Sequence, residues 1–257
     1  MSEKENLKVA IVTGAARGIG FEIAQRFHSE KYHVIILDYN KEALAACKER
    51  LKGKKRYSYF YCDISKPQQI QKVCDQISKK FEAVHALVNN AGIAIFKRAQ
   101  EVSIEEWNQI ININLSGTFY CSQLFYPLLK AGQGAIVNIA SISGVRASTL
   151  RIAYGTSKAA IMHLTKQQAV EYGNEGVRVN AVAPGPVETE MAKLVHSADI
   201  RTAYADAIPL ARYGTTTEIS NAVYFLCSPE ASYINGQILA VDGGFDAAGV
   251  GLPSLRN

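Results

Sequence analysis

The sequence predicts a doubly wound α/β fold, in which a parallel sheet carries helices on both faces. Three observations support this prediction. Residues 7–27 pass from a β-branched apolar run through a glycine-rich turn into a helical pattern. Apolar runs typical of buried parallel strands then alternate with helical segments along the chain. The 257 residues, with 48% hydrophobic content, are enough to bury one large core.

The composition narrows the class of protein. No linker or internal repeat divides the chain, so we expect one domain over residues 1–257. Residues 1–6 lack a signal-peptide core and no run is long enough to span a membrane, which predicts a cytoplasmic protein without a membrane partner. The five cysteines form no C-x-x-C pair and no ligand cluster, so no metal is expected. The net charge of +5 is scattered, which argues against a nucleic-acid partner.

The first strand leads into the glycine-rich turn. Residues 13–20 read Thr-Gly-Ala-Ala-Arg-Gly-Ile-Gly. In a dinucleotide site, Gly14 would permit the tight turn, Gly18 would let the backbone approach a pyrophosphate, and Gly20 would let the helix pack on its strand. The start of the helix would offer its free N–H groups to the phosphates. A plain glycine loop is the alternative, and the flanking strand and helix argue against it.

The second strand, at residues 33–37, ends in Asp38. A carboxylate about twenty residues after the glycines can accept hydrogen bonds from the adenosine ribose. It also repels a 2′-phosphate, so Asp38 favours NAD over NADP. The alternative role for Asp38 is that of a strand-end turn residue.

The middle of the chain continues the alternation. Residues 41–51 predict a helix and residues 57–61 a strand, after which Asp63 follows. Ser65 is a candidate N-cap for a helix that begins at Pro67. A fourth strand, at residues 86–88, ends in Asn-Asn-Ala-Gly. Residues 103–106 form a capping box that predicts a long helix to about residue 129, with Asn114 inside it.

The fifth strand, at residues 134–140, places Ser141 at its carboxyl end, where parallel strands carry their chemistry. Tyr154 and Lys158 follow at a spacing that puts both on one helix face. A cation about 4 Å from the phenol favours its ionised form by roughly 4 kcal/mol, or about three pKa units, at an effective dielectric of about 20. Tyr154 is therefore a candidate general base whose pKa Lys158 lowers.

The last third of the chain completes the pattern. A sixth strand at residues 177–183 precedes Pro-Gly-Pro-Val-Glu-Thr at residues 184–189, and residues 190–212 are polar and punctuated. A capping box at residues 215–218 predicts another helix. Residues 235–244 predict the last strand and a closing Asp-Gly-Gly.

The motifs at residues 13–20, 89–92 and 154–158, together with Ser141, resemble those of the short-chain dehydrogenase/reductase family. The resemblance covers nearly the whole chain. It implies seven strands in the order 3-2-1-4-5-6-7, a substrate loop at about residues 190–212, and a C-terminal tail at residues 245–257 that extends past the usual end.

The resemblance also implies roles for individual residues. Ser141 would bind the substrate oxygen, and Asn114 would kink its helix and hold a water that relays the proton through Lys158. Asp63 and the Ile64 amide would contact adenine, while Val187 and Thr189 would fix the nicotinamide carboxamide. The implied catalytic residues are Asn114, Ser141, Tyr154 and Lys158. The implied cofactor-binding residues are Gly14, Arg17, Gly18, Ile19, Gly20, Asp38, Asp63, Ile64, Asn90, Ala91, Gly92, Tyr154, Lys158, Pro184, Gly185, Val187 and Thr189.

The implied function is NAD-dependent oxidation of a secondary alcohol, or reduction of the matching ketone, by a homotetramer. NADP is the less favoured cofactor, because Tyr39 stands where many NADP-dependent relatives carry arginine, although Arg17 is compatible with NADP. The first alternative is a 3-oxoacyl-acyl-carrier-protein reductase that uses NADPH. Glu175 stands where such reductases usually carry a basic residue, so small hydroxy compounds such as polyols or sugars are at least equal candidates. The second alternative is a non-catalytic dinucleotide-binding scaffold, which the intact catalytic residues argue against.

Overall fold

The computed structural model describes residues 7–249, which contain one parallel sheet of seven strands. The strands cross the sheet in the order β3-β2-β1-β4-β5-β6-β7, and each pairing is parallel. Their bounds are β1 Val9–Thr13, β2 His33–Asp38, β3 Tyr57–Tyr61, β4 Ala86–Asn89, β5 Ala135–Ile139, β6 Arg178–Pro184 and β7 Ile238–Val241. The predicted fold class and strand order are confirmed.

Helices connect the strands and cover both faces of the sheet, as a parallel sheet requires. The helices of the described chain are α1 Gly18–Ser29, α2 Lys41–Arg50, α3 Pro67–Ser78, α4 Ile104–Ile110, α5 Gly117–Ala131, α6 Ile142–Val145, α7 Ile152–Gly173, α8 Glu190–Val195, α9 Ala198–Ala207 and α10 Thr216–Cys227. Short 3₁₀ turns lie at Ala99–Glu101 and Pro229–Ala231.

Alternation along the strands gives the sheet two separate apolar layers. Ala10 and Val12 of β1 lie in one layer with Phe27 of α1 and residues of α10. Their neighbours Val9 and Ile11 lie in the other layer with residues of α3 and α5. Successive side chains of a strand point to opposite faces, so every central strand contributes to both layers. This burial fixes the strand register and holds the strand ends in place for the site.

The long helix predicted through Asn114 is interrupted in the structure. Between α4 and α5 the chain forms a π-helical segment, Ile111–Ser116, with Asn114 buried within it. A π segment inserts one extra residue per turn and often marks a functional position. The capping box that starts α4 is present, because the Ser103 side chain accepts a hydrogen bond from the Glu106 N–H.

The segment at residues 190–212, which the resemblance implies is a substrate loop, contains α8 and α9, and Thr189 and Ser197 cap their N-termini. Its role as a substrate loop stays a prediction. One local prediction was wrong. Ser65 does not cap α3, because Lys66 occupies the N-cap position and the Ser65 hydroxyl donates to Asp63 Oδ1 instead. Of the predicted tail, residues 250–257 lie outside the described residues.

Candidate active site

The predicted site residues follow strands whose carboxyl ends meet at one edge of the sheet. Gly14 follows β1, Asn90 follows β4, Ser141 follows β5 and Gly185 follows β6. These four strands are neighbours in the sheet. In open parallel sheets, ligands bind at this edge where the strand order reverses, which here is beside β1 and β4.

The glycine-rich turn is packed too closely for side chains at two of its glycines. Gly14 has a φ of +61°, and a Cβ there would lie 2.8 Å from the Ala91 Cα. A Cβ at Gly20 would lie 2.4 Å from the Gly14 carbonyl oxygen. Both glycines therefore let β1, α1 and the turn after β4 approach one another.

Gly18 has a different environment that suits a ligand. Its φ is +59°, and a Cβ would meet nothing within 4 Å. It is also the first residue of α1, and Arg17 at the N-cap makes no side-chain capping bond. The first N–H groups of α1 therefore have no side-chain cap beside an open backbone position, which fits a pyrophosphate.

Asp38 lies at the end of β2, and hydrogen bonds orient its carboxylate. Oδ2 accepts from the Ala16 N–H at 3.0 Å, and Oδ1 accepts from the Asn40 N–H at 3.0 Å. Asp38 therefore ties the glycine-rich turn to the end of β2, so the turn role considered for it is present. Each oxygen of a carboxylate can accept a second hydrogen bond, so this arrangement is compatible with ribose binding.

Asp63 forms a local turn after β3. Its Oδ1 accepts from the Ser65 N–H at 2.9 Å and from the Ser65 hydroxyl at 2.7 Å, and its own N–H donates to Gln69 Oε1 at 2.9 Å. Ile64 is buried and packs against Gly117 of α5, where a Cβ would lie 2.8 Å from the Ile64 Cδ1. These contacts hold the segment expected beside adenine.

The Asn-Asn-Ala-Gly segment joins β4 to the glycine-rich turn. Thr13 Oγ1 accepts from the N–H groups of Asn90 and Ala91, each at 3.0 Å. The Asn90 side chain donates to the carbonyls of Thr13 at 2.9 Å and Gly14 at 3.0 Å. The tie between the central strands that the family resemblance implies is therefore visible in the hydrogen bonds.

Asn114 connects three parts of the site. Its Oδ1 accepts from the Ile93 N–H at 2.9 Å, while its Nδ2 donates to the Ile93 carbonyl and to Ser157 Oγ, each at 3.0 Å. A Cβ at Gly92 would lie 3.1 Å from Asn114 Oδ1 and 3.5 Å from Lys158 Nζ. The buried amide has partners on both sides, as a polar group in a helix interior requires.

Ser141, Tyr154 and Lys158 come together at the end of β5. Ser141 caps α6, because its Oγ accepts from the Ser143 N–H at 3.2 Å. Lys158 Nζ donates to the Ile139 carbonyl at 2.7 Å and lies 5.7 Å from the centroid of the Tyr154 ring. The structure thus collects the four predicted catalytic side chains around one position.

The electrostatics of this group differ from our expectation. Burial lowers the pKa of Lys158 to about 8. Burial also raises the pKa of Tyr154, and the groups that partly offset this rise are the Ser141 hydroxyl and the Arg151 guanidinium. Lys158 is not one of them, so the sequence-based account of the Tyr154 pKa was wrong. It omitted the cost of removing both groups from water, which disfavours the charged form of each.

The segment after β6 is held by its neighbours. The Gly185 N–H donates to the Val241 carbonyl at 3.0 Å, and a Cβ at Gly185 would lie 2.8 Å from the Asp242 Cα. Val187 is buried and forms a bridge with Gly214. The residues expected to bind the carboxamide therefore lie on a backbone fixed by β7 and the start of α10.

Comparison with known proteins decides the family. A family model described as enoyl-(acyl carrier protein) reductase matches residues 14–246. The chain belongs to the short-chain dehydrogenase/reductase family. It is therefore an oxidoreductase of the NAD(P)-dependent class that acts on CH–OH groups or the matching ketones.

Relatives within this family carry different names. A 3-oxoacyl-[acyl-carrier-protein] reductase of Chlamydia trachomatis is 38% identical over 92% of this chain and 96% of the relative. A D-threitol dehydrogenase of Mycolicibacterium smegmatis is 37% identical over 93% of this chain and 92% of the relative. A solved structure of a Burkholderia cenocepacia gluconate 5-dehydrogenase, in complex with NADP and tartrate, has a TM-score of 0.89 at 29% identity, covering 94% of this chain and 96% of that one.

The sequence analysis missed the polar and aromatic rim of this short-chain dehydrogenase site. Arg151 lies over Phe96 and beside Tyr154. His196 Nδ1 lies 3.0 Å from Tyr213 Oη. The Tyr204 ring packs against both of these rings and against Phe245. Arg201 lies over the Tyr213 ring and pairs with Glu188. Only Arg151 had a local signal, because it lies three residues before Tyr154 and so on the same helix face.

Within residues 7–249, no cluster of three or more His, Cys, Asp or Glu side chains is suitable for a metal ion. None of the helices described in that range is long and apolar enough to cross a membrane.

Proposed function

We propose that this protein oxidises a small secondary alcohol, or reduces the matching ketone, with NAD(H) as the preferred cofactor. The observation that supports the proposal most directly is the convergence of Asn114, Ser141, Tyr154 and Lys158 beside an open glycine-rich turn. The substrate oxygen would lie between Ser141 and Tyr154. The intact group also argues against a purely scaffolding role.

The cofactor would extend along the edge of the sheet. Gly18 and the start of α1 would hold the pyrophosphate, and Asp38 the adenosine ribose. Asp63 and Ile64 would border adenine, while the segment from Pro184 to Thr189 would border the nicotinamide. The remaining predicted contacts, Gly14, Arg17, Ile19, Gly20, Asn90, Ala91, Gly92, Tyr154 and Lys158, would line the path between them. When bound, the nicotinamide ring supplies the hydride acceptor.

The protein's own residues would manage the proton. In alcohol oxidation the Tyr154 phenolate would take the hydroxyl proton while Ser141 holds the substrate oxygen. The lowered pKa of Lys158, about 8, places its proton exchange close to neutral pH, so Lys158 can pass a proton to and from Tyr154. Asn114, through its bonds to Ile93 and Ser157, would fix the segment beside Lys158 at which the relay water is expected.

Replacing the phenol tests this assignment. Tyr154→Phe should lower turnover by several orders of magnitude and leave cofactor binding nearly unchanged, because the hydroxyl acts on the substrate. Tyr120→Phe removes a phenol on α5 and is the matched control. Turnover of Tyr154→Phe above about a tenth of wild type, equivalent to less than about 1.4 kcal/mol, would show that Tyr154 is not the acid–base group.

The preference for NAD(H) is supported by the position of Asp38. A 2′-phosphate at the end of β2 would face this carboxylate, which the Ala16 and Asn40 amides hold in place. Asp38→Asn keeps one oxygen acceptor and removes the charge, so it should narrow the difference between the Kd values of NADH and NADPH. Tighter binding of NADPH than of NADH by the wild type would refute the preference.

An acyl-carrier-protein reductase that uses NADPH is the second candidate, and the Chlamydia relative supports it. Against it, Glu175 is acidic where such reductases usually carry a basic residue, and it pairs with Lys130 on the surface. Parallel assays with D-threitol, butanediol and a 3-oxoacyl thioester would decide between the two. A kcat/KM at least tenfold higher on the thioester would overturn the small-alcohol proposal.

We also propose that the protein is a cytoplasmic homotetramer. Exposed apolar side chains on α4 and α7 support this, since Ile104 is 72% and Val170 80% exposed. Burial of such residues is a common driving force for symmetric assembly. Sedimentation at micromolar concentration tests the proposal, and a monomer would contradict it.

A further inference from the structure

A guanidinium group, that of Arg151, lies beside the candidate catalytic tyrosine. Arg151 is the N-cap residue of α7 and makes no side-chain capping bond. Its Cζ lies 4.8 Å from the centroid of the Phe96 ring and 5.9 Å from that of Tyr154. Among the side chains that the structure describes in residues 7–249, none forms a hydrogen bond or an ion pair with this guanidinium.

The other cations near the site already have protein partners, which makes Arg151 unusual. Each of them has a carboxylate or carbonyl partner. The pairs are Lys97 with Glu106, Arg201 with Glu188, Arg212 with Glu218, Arg146 with the carbonyls of Phe245 and Ala248, and Lys158 with the Ile139 carbonyl. Among the side chains described near Tyr154, Arg151 is thus the cation whose N–H donors have no hydrogen-bond partner.

The position of Arg151 is fixed by the backbone and by an aromatic ring. The Lys97 N–H donates to the Leu150 carbonyl at 3.2 Å, and Lys97 and Arg151 form a parallel bridge. A guanidinium that stacks on an aromatic face keeps its N–H donors at its edge, where they can form hydrogen bonds. Phe96 therefore holds the group without occupying its donors.

The charge of Arg151 acts on the interior of the site. Burial raises the pKa of Tyr154 and of Tyr213, and Arg151 offsets part of this rise. Burial lowers the pKa of His196, and Arg151 adds to this fall. Tyr154 lies on α7, His196 directly follows α8, and Tyr213 lies shortly before α10. Arg151 therefore lies close enough to influence both Tyr154, where a substrate would bind, and the rim residues His196 and Tyr213.

We propose that Arg151 binds the carboxylate of a short hydroxy acid or keto acid and so sets the substrate class of the enzyme. This inference rests on the alcohol oxidation proposed above. The planar guanidinium matches a carboxylate through two parallel hydrogen bonds, and a partly buried cation without a partner favours an anionic ligand. The 5.9 Å between Cζ and the Tyr154 ring centre places the guanidinium beside the phenol, so the proposed substrate is a short acid.

Other ligand classes fit this arrangement less well. A neutral polyol or the neutral reacting end of an acyl thioester would leave the guanidinium charge uncompensated. A phosphate carries up to two charges, and of the two cations described beside the Tyr154 ring, Lys158 already donates to the Ile139 carbonyl, which leaves Arg151 as the one with free donors. The single planar guanidinium of Arg151 therefore favours a carboxylate.

The test compares acids with their primary amides at equal chain length. The pairs are 2-hydroxybutyrate, 3-hydroxybutyrate and 4-hydroxyvalerate with the corresponding amides, and 1-phospho-2-propanol serves as the phosphate arm. For the wild type we expect a higher kcat/KM on at least one acid than on its amide. In Arg151→Gln the ratio of acid to amide should fall about 10- to 100-fold, mainly through KM, because a charge-assisted bidentate contact is lost.

The acid-to-amide ratio separates binding from catalysis. Loss of Arg151 also changes the electrostatics of Tyr154, but that effect acts on both members of a pair and cancels in the ratio. Arg151→Lys should recover only part of the ratio, since it keeps the charge without the fork. Lys166→Gln removes an exposed positive charge from the same helix and should leave the ratio unchanged.

The outcomes distinguish this inference from the proposed function. Turnover of amides and neutral alcohols, with a ratio that Arg151→Gln does not change, would overturn the carboxylate assignment and leave the oxidation proposal intact. A larger loss of kcat/KM in Arg151→Gln for the phosphate than for the acids would also overturn it.

If no compound is turned over, the proposed function fails, and calorimetric titration of the NADH-loaded protein with propionate decides the inference alone. Binding by the wild type that is at least tenfold weaker in Arg151→Gln would support it, and equal or undetectable binding in both would refute it.

Discussion

Replacing Lys158 by methionine should reveal the cost of burying the catalytic ammonium group. The pKa of Lys158 falls from its ordinary 10.5 to about 8 because the folded protein buries it. At about 1.36 kcal/mol per pH unit, this difference means that the charged form is destabilised by roughly 3 kcal/mol in the folded state. The side chain is only 4% exposed, so solvent screening takes little from this value.

The sign of the pH dependence follows from the proton balance. Between about pH 8 and pH 10.5 the unfolded chain keeps its proton on Lys158 while the folded chain has lost it. The free energy of unfolding therefore rises with pH through this window, by up to about 3 kcal/mol from this residue. The penalty is fully present below about pH 8 and absent above 10.5.

At pH 7 the methionine variant avoids this penalty but leaves the Ile139 carbonyl without its 2.7 Å donor. An unpaired buried acceptor costs about 1–3 kcal/mol, so we expect Lys158→Met to be between equally stable and about 2 kcal/mol more stable than the wild type, although inactive. Urea unfolding at several pH values from 7 to 10.5 measures both effects.

The decisive quantity is the difference in the free energy of unfolding between the wild type and Lys158→Met. Buried phenols and thiols also titrate at high pH, but they are common to both proteins and cancel. Lys166→Met removes an exposed lysine from the same helix and should follow the wild type. If the free energies of unfolding of the wild type and of Lys158→Met change in parallel between pH 8 and 10.5, the reasoning is refuted.

Two further predictions concern backbone packing around the site. Gly14→Ala should lower the free energy of unfolding by about 1–3 kcal/mol and weaken NADH binding, measured by urea unfolding and calorimetry, because the added Cβ would lie 2.8 Å from the Ala91 Cα at a φ of +61°. Unchanged stability and affinity would contradict this. Arg146→Ala should speed hydrogen exchange and proteolysis at residues 245–248, whose carbonyls lose two hydrogen bonds, while exchange in β1 should not change. Equal exchange at residues 245–248 in both proteins would show that Arg146 does not hold this segment.

The sequence predicted those features that depend on local patterns. Each of the seven strands appears within a few residues of its predicted bounds, since buried apolar runs and the glycine signals around Gly14 are local. The capping boxes at Ser103 and Thr215 are likewise formed as predicted, because they join residues three apart. The strand order came from the family resemblance and could not be obtained from periodicity.

Features that depend on contacts between distant segments were missed. Phe96 and Arg151 meet across 55 residues, and Tyr204 meets Phe245 across 41 residues, without any periodic signal. The helices at residues 190–207 are short, and the sequence pattern did not predict them. Ser65 is not the cap of α3, because the helix begins at Pro67 and so places Lys66 at the N-cap, while the Ser65 hydroxyl donates to Asp63. A shift of one residue in the start of a helix decides which side chain can cap it.

The Tyr154 and Lys158 pair shows why a motif identifies a site more readily than its electrostatics. The four-residue spacing correctly places both groups on α7, but a Coulomb estimate from spacing treats the lysine as a fixed cation in a polar medium. Burial instead lowers the pKa of Lys158 to about 8 and raises that of Tyr154 above its ordinary 10, which moves the two values further apart. The Tyr154 phenolate is therefore a stronger base than the Lys158 amine, so a protonated Lys158 can transfer its proton to the phenolate. Ser141 and Arg151 are the neighbours that favour the phenolate.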